Sequence, residues 1–201
     1  MTAATLAKIA TVRSGDLARR YQPTAAVIEA LRAHPTADGA ARKLINEKAV
    51  DAAIELLAHA LPRREAVWWA ATCVRERLPE PAPAVELRLL AGAEDWVRKP
   101  SDEQRRAVFE LARTEGMGTP AGLVASAVFF SGDTLGPADR PPVPPASNLV
   151  GTMVVNAVRI AATRLAAQEG PQWLAEFLTV GIDIASGGSG RKRDAKAEET
   201  A

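Results

Sequence analysis

Cysteine occurs once in this 201-residue chain, at position 73, and histidine only twice. A disulfide framework needs paired cysteines and a structural zinc site needs four Cys or His ligands, so both are excluded. Aromatic residues make up 4% of the chain, and no stretch alternates apolar and polar residues as a half-buried strand does. Charge of one sign is missing too: 25 Lys and Arg stand against 24 Asp and Glu. That balance argues against nucleic acid as a partner, because a nucleic-acid-binding domain carries a basic excess. Long apolar runs are absent. The best candidate, residues 149–165, is interrupted by Asn156, Arg159 and Arg164, and each arginine in hydrocarbon costs about 2.5–3.5 kcal/mol. No membrane span is expected. The first 21 residues have no apolar stretch of the kind a secretory signal needs, and the lone cysteine fits a reducing compartment. The expected location is the cytoplasm.

Alanine dominates what is there, with 41 residues. It is the best helix former and a poor strand former. With 47% apolar residues there is enough to build a core. Arg exceeds Lys 19 to 6, a bias that together with abundant alanine points to a GC-rich bacterial genome. The expected fold is all-α: a compact bundle of about eight helices in antiparallel hairpins, with a short solenoid-like stack of hairpins as the alternative.

Helix boundaries are legible from capping chemistry. Ser101 is an N-cap, with Asp102 and Glu103 suited to the positive helix end and Gln104 completing a capping box. Thr119-Pro120 opens a helix whose body, residues 121–130, has Ser126 as its one polar side chain. A helix apolar all round is a buried one, so it is expected at the centre of the core. The stripe from Asp38 to Leu61 reads as one long helix or as two broken near Asn46. Ser147 is expected to cap the long helix that follows the loop at 133–146, a stretch with five prolines. The domain boundaries that follow are a weakly ordered segment at 1–22, one helical domain at 23–187 and a disordered tail at 188–201. Gly, Ser and mixed charge cannot bury enough apolar surface to order such a tail.

No reaction chemistry is legible. Cys73 lies inside a helix, with no helix N-terminus or glycine turn to activate it, and reads as a packed thiol. His34 and His59 are 25 positions apart, fit no metal spacing, and read as capping or surface residues. The G-x-G at Gly116–Gly118 follows a helix and lacks the lysine and further glycine of phosphate-binding loops. Asp183 shares a polar stripe with Glu176 and Thr179 and reads as part of a solvated face. The P-x-x-P within 141–145 reads as a rigid wrap. No cofactor, metal or catalytic residue is expected.

The distinctive segment is Leu61-Pro-Arg-Arg-Glu-Ala-Val-Trp-Trp-Ala70. Adjacent helical residues diverge by about 100°, so Trp68 and Trp69 cannot both face one stripe. At least one indole lies at the edge of the core. Arg64 stands one turn before Trp68, where a guanidinium can stack on the ring. Arg63, Arg64, Trp68 and Trp69 are therefore the candidate partner-binding residues, Trp and Arg being the usual interface anchors.

This segment, together with Phe129-Phe130-Ser131-Gly132 and its Pro-rich loop, and with Phe177-Leu178-x-x-Gly181-Ile182-Asp183-Ile184-Ala185, resembles an uncharacterised bacterial domain family of unknown function. The similarity runs from about Pro23 to Gly187. Phe130 stands where members often carry Trp. The resemblance implies an all-helical bacterial protein and an association with type VI secretion gene clusters, and it brings no catalytic residues. The expected function is a non-catalytic helical adaptor or accessory protein of a bacterial assembly, with an unidentified protein partner. The alternatives are a small-molecule or peptide-binding module, and an enzyme whose charged groups converge only in the fold.

Overall fold

A computed structural model describes residues 5–137 and 139–191. The part of the tail from 192 to 201 lies outside the described residues, as do residues 1–4 and 138. The helices are α1 (Ser14–Ala18), α2 (Ala25–Ala33), α3 (Ala37–Asn46), α4 (Val50–Ala60), α5 (Arg63–Glu76), α6 (Ala84–Arg98), α7 (Asp102–Leu111), α8 (Pro120–Phe130), α9 (Leu149–Thr163) and α10 (Gly170–Ala185). Among the described residues there is no strand.

Side-chain caps open three of the described helices, α3, α7 and α8. Ser101 Oγ accepts from the Gln104 N–H at 3.1 Å, and Thr119 Oγ1 accepts from the Gly122 N–H at 3.0 Å with Pro120 in the first turn. Ser147 does not cap α9. Asn148 holds that position, and the Ser147 hydroxyl instead donates to the Arg20 carbonyl at 3.2 Å. The stripe at 38–61 is two helices, which helps bring the α-helices among the described residues to ten. At the break, Lys48 takes a left-handed φ of 57° and the Ala49 N–H closes back on the Leu44 carbonyl at 2.9 Å. This closure satisfies carbonyls that α3 leaves open at its end.

The apolar α8 sits at the centre, as its composition dictates. It packs against α5, α6, α7 and α9, while α9 packs against α4, α5, α8 and α10. In a solenoid each unit touches only its neighbours. Contacts such as α4 on α9, α4 on α10 and α5 on α9 make this a bundle.

Residues 6–17 contribute to the core. Leu6, Ile9 and Leu17 are buried, the Leu6 N–H donates to Asp38 Oδ1 at 2.9 Å, and the Lys8 N–H donates to the Ala185 carbonyl at 2.8 Å. Residues 6–13 have no helical period, so only their docking reveals that they pack. The Pro-rich loop is pinned by arginines of α7. Buried Arg105 pairs with Asp102, donates to the carbonyls of Phe129 (2.6 Å) and Thr134 (3.0 Å), and lies over the Phe129 ring. Arg106 donates to the Gly136 carbonyl at 2.6 Å. Asp102, bonded to Arg106 and Arg105, is held below the usual carboxylate range. An ion pair with a buried carboxylate ties α6 to the end of α9: Arg164 meets both oxygens of Glu86 at 2.8 and 2.9 Å.

Among the described residues no single helix is long and apolar enough to cross a membrane. Only α9 with the helical segment from Ala167 to Ala185 passes a length-and-composition test, as a pair bent by 117°.

Candidate functional site

Helix α5 sends its two indoles in different directions. Trp69 is fully buried, its ring packs against Gly181 of α10, and its Nε1 donates to the Phe177 carbonyl at 2.8 Å. A Cβ at position 181 would lie 2.8 Å from the indole, which is why the Gly181-Ile-Asp-Ile-Ala segment begins with glycine. Trp68 is half-buried at the edge of the bundle, and its Nε1 donates to the Ser189 carbonyl at 2.7 Å.

The four sequence candidates therefore separate. Trp69 belongs to the core. Exposed Arg63 turns away from the indoles and donates to the Ser131 carbonyl at 3.1 Å, at the C-terminal end of α8. Arg64 and Trp68 stay together at the surface, lining a shallow recess with Lys8, Val97 and Gly188. The guanidinium over the Trp68 ring, however, is that of Arg191, 5.3 Å from the centroid, and not that of Arg64.

Arg191 is delivered by a short strap at 187–190, of which 188–190 fall in the tail expected to be disordered. Gly187 and Gly190 take φ of +102° and +71°, and Gly190 is buried. The strap is held by Asp183, whose Oδ2 accepts from the Gly190 N–H at 2.8 Å and whose backbone carbonyl accepts from Gly188 at 2.8 Å. Asp183 is thus exposed yet structural. An extended polar stripe on α10 could not reveal this, because its partner is five to seven residues beyond it in a non-helical turn.

Beside Trp68 the helices α5 and α10 enclose a half-open cleft of about 350 Å³. Its apolar lining is Trp68, Trp173, Phe177 and Val180, with Cys73 at the floor, and its rim carries Arg75, Glu76, Glu94 of α6, Glu176 and Arg191. Arg75 donates to Glu94 at 2.6 Å. Buried Arg77 lies 4.3 Å over the Trp173 ring and pairs with Glu169 at 3.0 Å. The sequence reading missed Trp173, Val180 and Thr72. The signal was available: Trp68, Thr72 and Glu76 recur every four residues on one helix face, and Trp173, Phe177 and Val180 recur at spacings of four and three on another. Which two faces meet is a tertiary fact. Burial pushes the Cys73 thiol well above its ordinary value, so it is a packed thiol and not a nucleophile. Among the described residues no group of three His, Cys, Asp or Glu side chains could hold a metal ion.

His34 ends α2, as expected. His59 is neither a cap nor a surface residue. It is half-buried, stacks on Tyr21 with centroids 3.6 Å apart, and sits where a Cβ at Gly151 would come within 2.2 Å of its Nδ1. Burial lowers its pKa from 6.5 to about 4. Between those values the unfolded chain binds more protons than the folded one, so stability is complete above about pH 6.5 and falls as the pH drops toward 4. A shift of this size amounts to about 3 kcal/mol. Denaturant midpoints measured from pH 7 to pH 4 are expected to fall in the wild type and to fall distinctly less in His59→Gln. Parallel profiles for the two proteins would refute this account.

No curated protein and no solved structure matches the chain. One family model does, described as Family of unknown function (DUF6931), over residues 40–185.

Proposed function

The chain belongs to that family, and from this premise we propose that it is a non-catalytic helical adaptor that holds a segment of a protein partner in the cleft between α5, α6 and α10. The observation that carries this reading is the use already made of the Trp68 wall. A non-helical stretch of the chain's own backbone presents the Ser189 carbonyl to the indole N–H, and Arg191 lays a cation over the ring. A partner's segment would meet the same aromatic wall next to an apolar floor. An apolar centre with aromatic anchors and a charged rim is the anatomy of a protein interface. The association with type VI secretion gene clusters that the sequence resemblance implies is the setting for this proposal. The cleft volume, about 350 Å³, also lies within the range of small-molecule pockets. An apolar small molecule is therefore the second reading.

The test places a photo-crosslinking residue at Thr72 and recovers adducts from the native cell. A defined protein adduct that Trp68→Ala weakens by about 2 kcal/mol or more, as hot-spot truncations do, supports the adaptor. An adduct indifferent to Trp68 overturns it. A small molecule that co-purifies with the wild type and is lost with Trp68→Ala supports the second reading instead.

A further inference from the structure

A different cleft, about 560 Å³ in volume, opens between the α1–α2 connection, α4 and α9. Its lining is polar: Tyr21 and Gln22 from the connection, Glu55 and His59 from α4, and Asn148, Thr152, Asn156 and Arg159 from the start and body of α9. None of these residues takes part in the cleft at Trp68.

The unusual member is Glu55. A carboxylate with 6% residual exposure is rare unless each oxygen has a partner. Glu55 Oε1 has one, accepting from the Thr24 N–H at 2.9 Å, where α2 begins without a side-chain cap of its own. Oε2 has none among the described residues, and neither does the Tyr21 hydroxyl, which is equally closed to solvent. The two groups are within electrostatic reach, since burial first and the Glu55 charge second push the Tyr21 phenol above its ordinary value. A buried acceptor left unpaired costs about 1–3 kcal/mol, more when charged. This cost sits directly beneath an open polar cleft.

The charges on the lining decide what complements it. Arg159 is the only cation among the lining residues, and it is matched by a two-pronged pair with Asp51 at 2.7 and 2.8 Å. His59 is held neutral by its burial. The uncompensated charge is that of Glu55, so the floor favours a cation that can donate hydrogen bonds. One carboxylate among neutral amides and hydroxyls is a poor set for a divalent metal. It suits an ammonium group, with three donors to share between Oε2 and the Tyr21 oxygen. Asn148, Thr152 and Asn156 above it offer amides and a hydroxyl to a body that carries hydroxyl groups of its own.

We propose that the cleft between the α1–α2 connection, α4 and α9 binds a small hydroxylated primary amine, whose ammonium group pairs with Glu55 Oε2 and the Tyr21 hydroxyl. Binding requires the Tyr21–Gln22 segment to move outward enough to admit the ammonium group. That segment is a connection, not a helix, and just before it the Arg20 carbonyl accepts from the Ser147 hydroxyl, two residues ahead of α9.

The test is titration calorimetry on the full chain, with ethanolamine and glucosamine as probes at a pH where both amines are charged. Glucose serves as the uncharged counterpart and potassium chloride as the ionic control. Saturable heat is expected with at least one amine and not with glucose or potassium chloride. Glu55→Gln keeps an oxygen for the Thr24 N–H and removes the charge, and it should weaken amine binding by about tenfold or more. Tyr21→Phe keeps the stack on His59 and should weaken binding by a smaller factor. A circular dichroism melt confirms that each variant is folded. If neither amine binds the wild type, the orphaned pair is only bridged by water and the proposal fails. Glucose or potassium chloride binding as well as the amines, or a folded Glu55→Gln that binds them unchanged, overturns it equally.

Discussion

Trp69→Ala is expected to destabilise the protein by about 3–5 kcal/mol, the range for removing a large aromatic from a close-packed core. Three losses combine. The indole is fully buried, so its truncation leaves a cavity between α5 and α10. Its Nε1 bond to the Phe177 carbonyl disappears. Gly181, which exists to admit the ring, is left facing a void that a rigid helix pair cannot close. Trp68→Ala is expected to cost only about 1–2 kcal/mol, because its ring is half-buried and its bond goes to the strap at Ser189. Two neighbouring tryptophans thus report on different things, one on the core and one on the cleft. Denaturant midpoints of the two variants check this directly. Equal losses above about 3 kcal/mol would make Trp68 a core residue and remove it from the proposed interface.

The second large effect concerns Glu86 and Arg164. Glu86 has 2% residual exposure, and Arg164 occupies both of its oxygens. Arg164→Met is expected to cost about 3–5 kcal/mol, since it strands a buried charge without a partner. The double variant Glu86→Leu with Arg164→Met is expected to recover most of that loss, because a buried ion pair and an apolar pair of similar volume are often close in stability. The measurement is a double-mutant cycle on unfolding free energy. A single-variant cost below about 1 kcal/mol would show that water reaches Glu86 when Arg164 is gone.

The buried polar groups mark where sequence reading stops. Arg105 and Glu86 look on the chain like any other charged residues of amphipathic helices. Their burial follows from helices that meet far apart in sequence: α6 with the end of α9, and α7 with the Pro-rich loop. Periodicity assigns a face to each residue on its own helix. It does not say whether a second helix or a loop covers that face. His59 shows the same limit. On α4 alone it reads as a cap or surface residue, yet Tyr21 and Gly151 enclose it from two other elements.

The candidate site divides along the same line. The divergence of Trp68 and Trp69 is a property of one helix, so geometry at about 100° per residue predicted that one indole would reach the edge. The residue that covers it could not be read locally. Arg64 is the right distance away along α5, but Arg191 arrives through a turn built by Gly187, Gly190 and the Asp183 carboxylate.

What the sequence determined by itself is the helical class, the starts of α7 at Ser101 and α8 at Thr119, the buried place of α8 and the parting of the two indoles. All of these rest on interactions within about four residues, where backbone geometry is the same in every helix. Tertiary structure alone decided that α9 crosses α4, α5, α8 and α10, that residues 6–17 pack, and that Trp173 faces Trp68 across a cleft. It also decided that Glu55 keeps one oxygen without a partner. Those outcomes depend on which surfaces meet, and burial of apolar area is non-directional. It drives the helices together without naming the partner of each face.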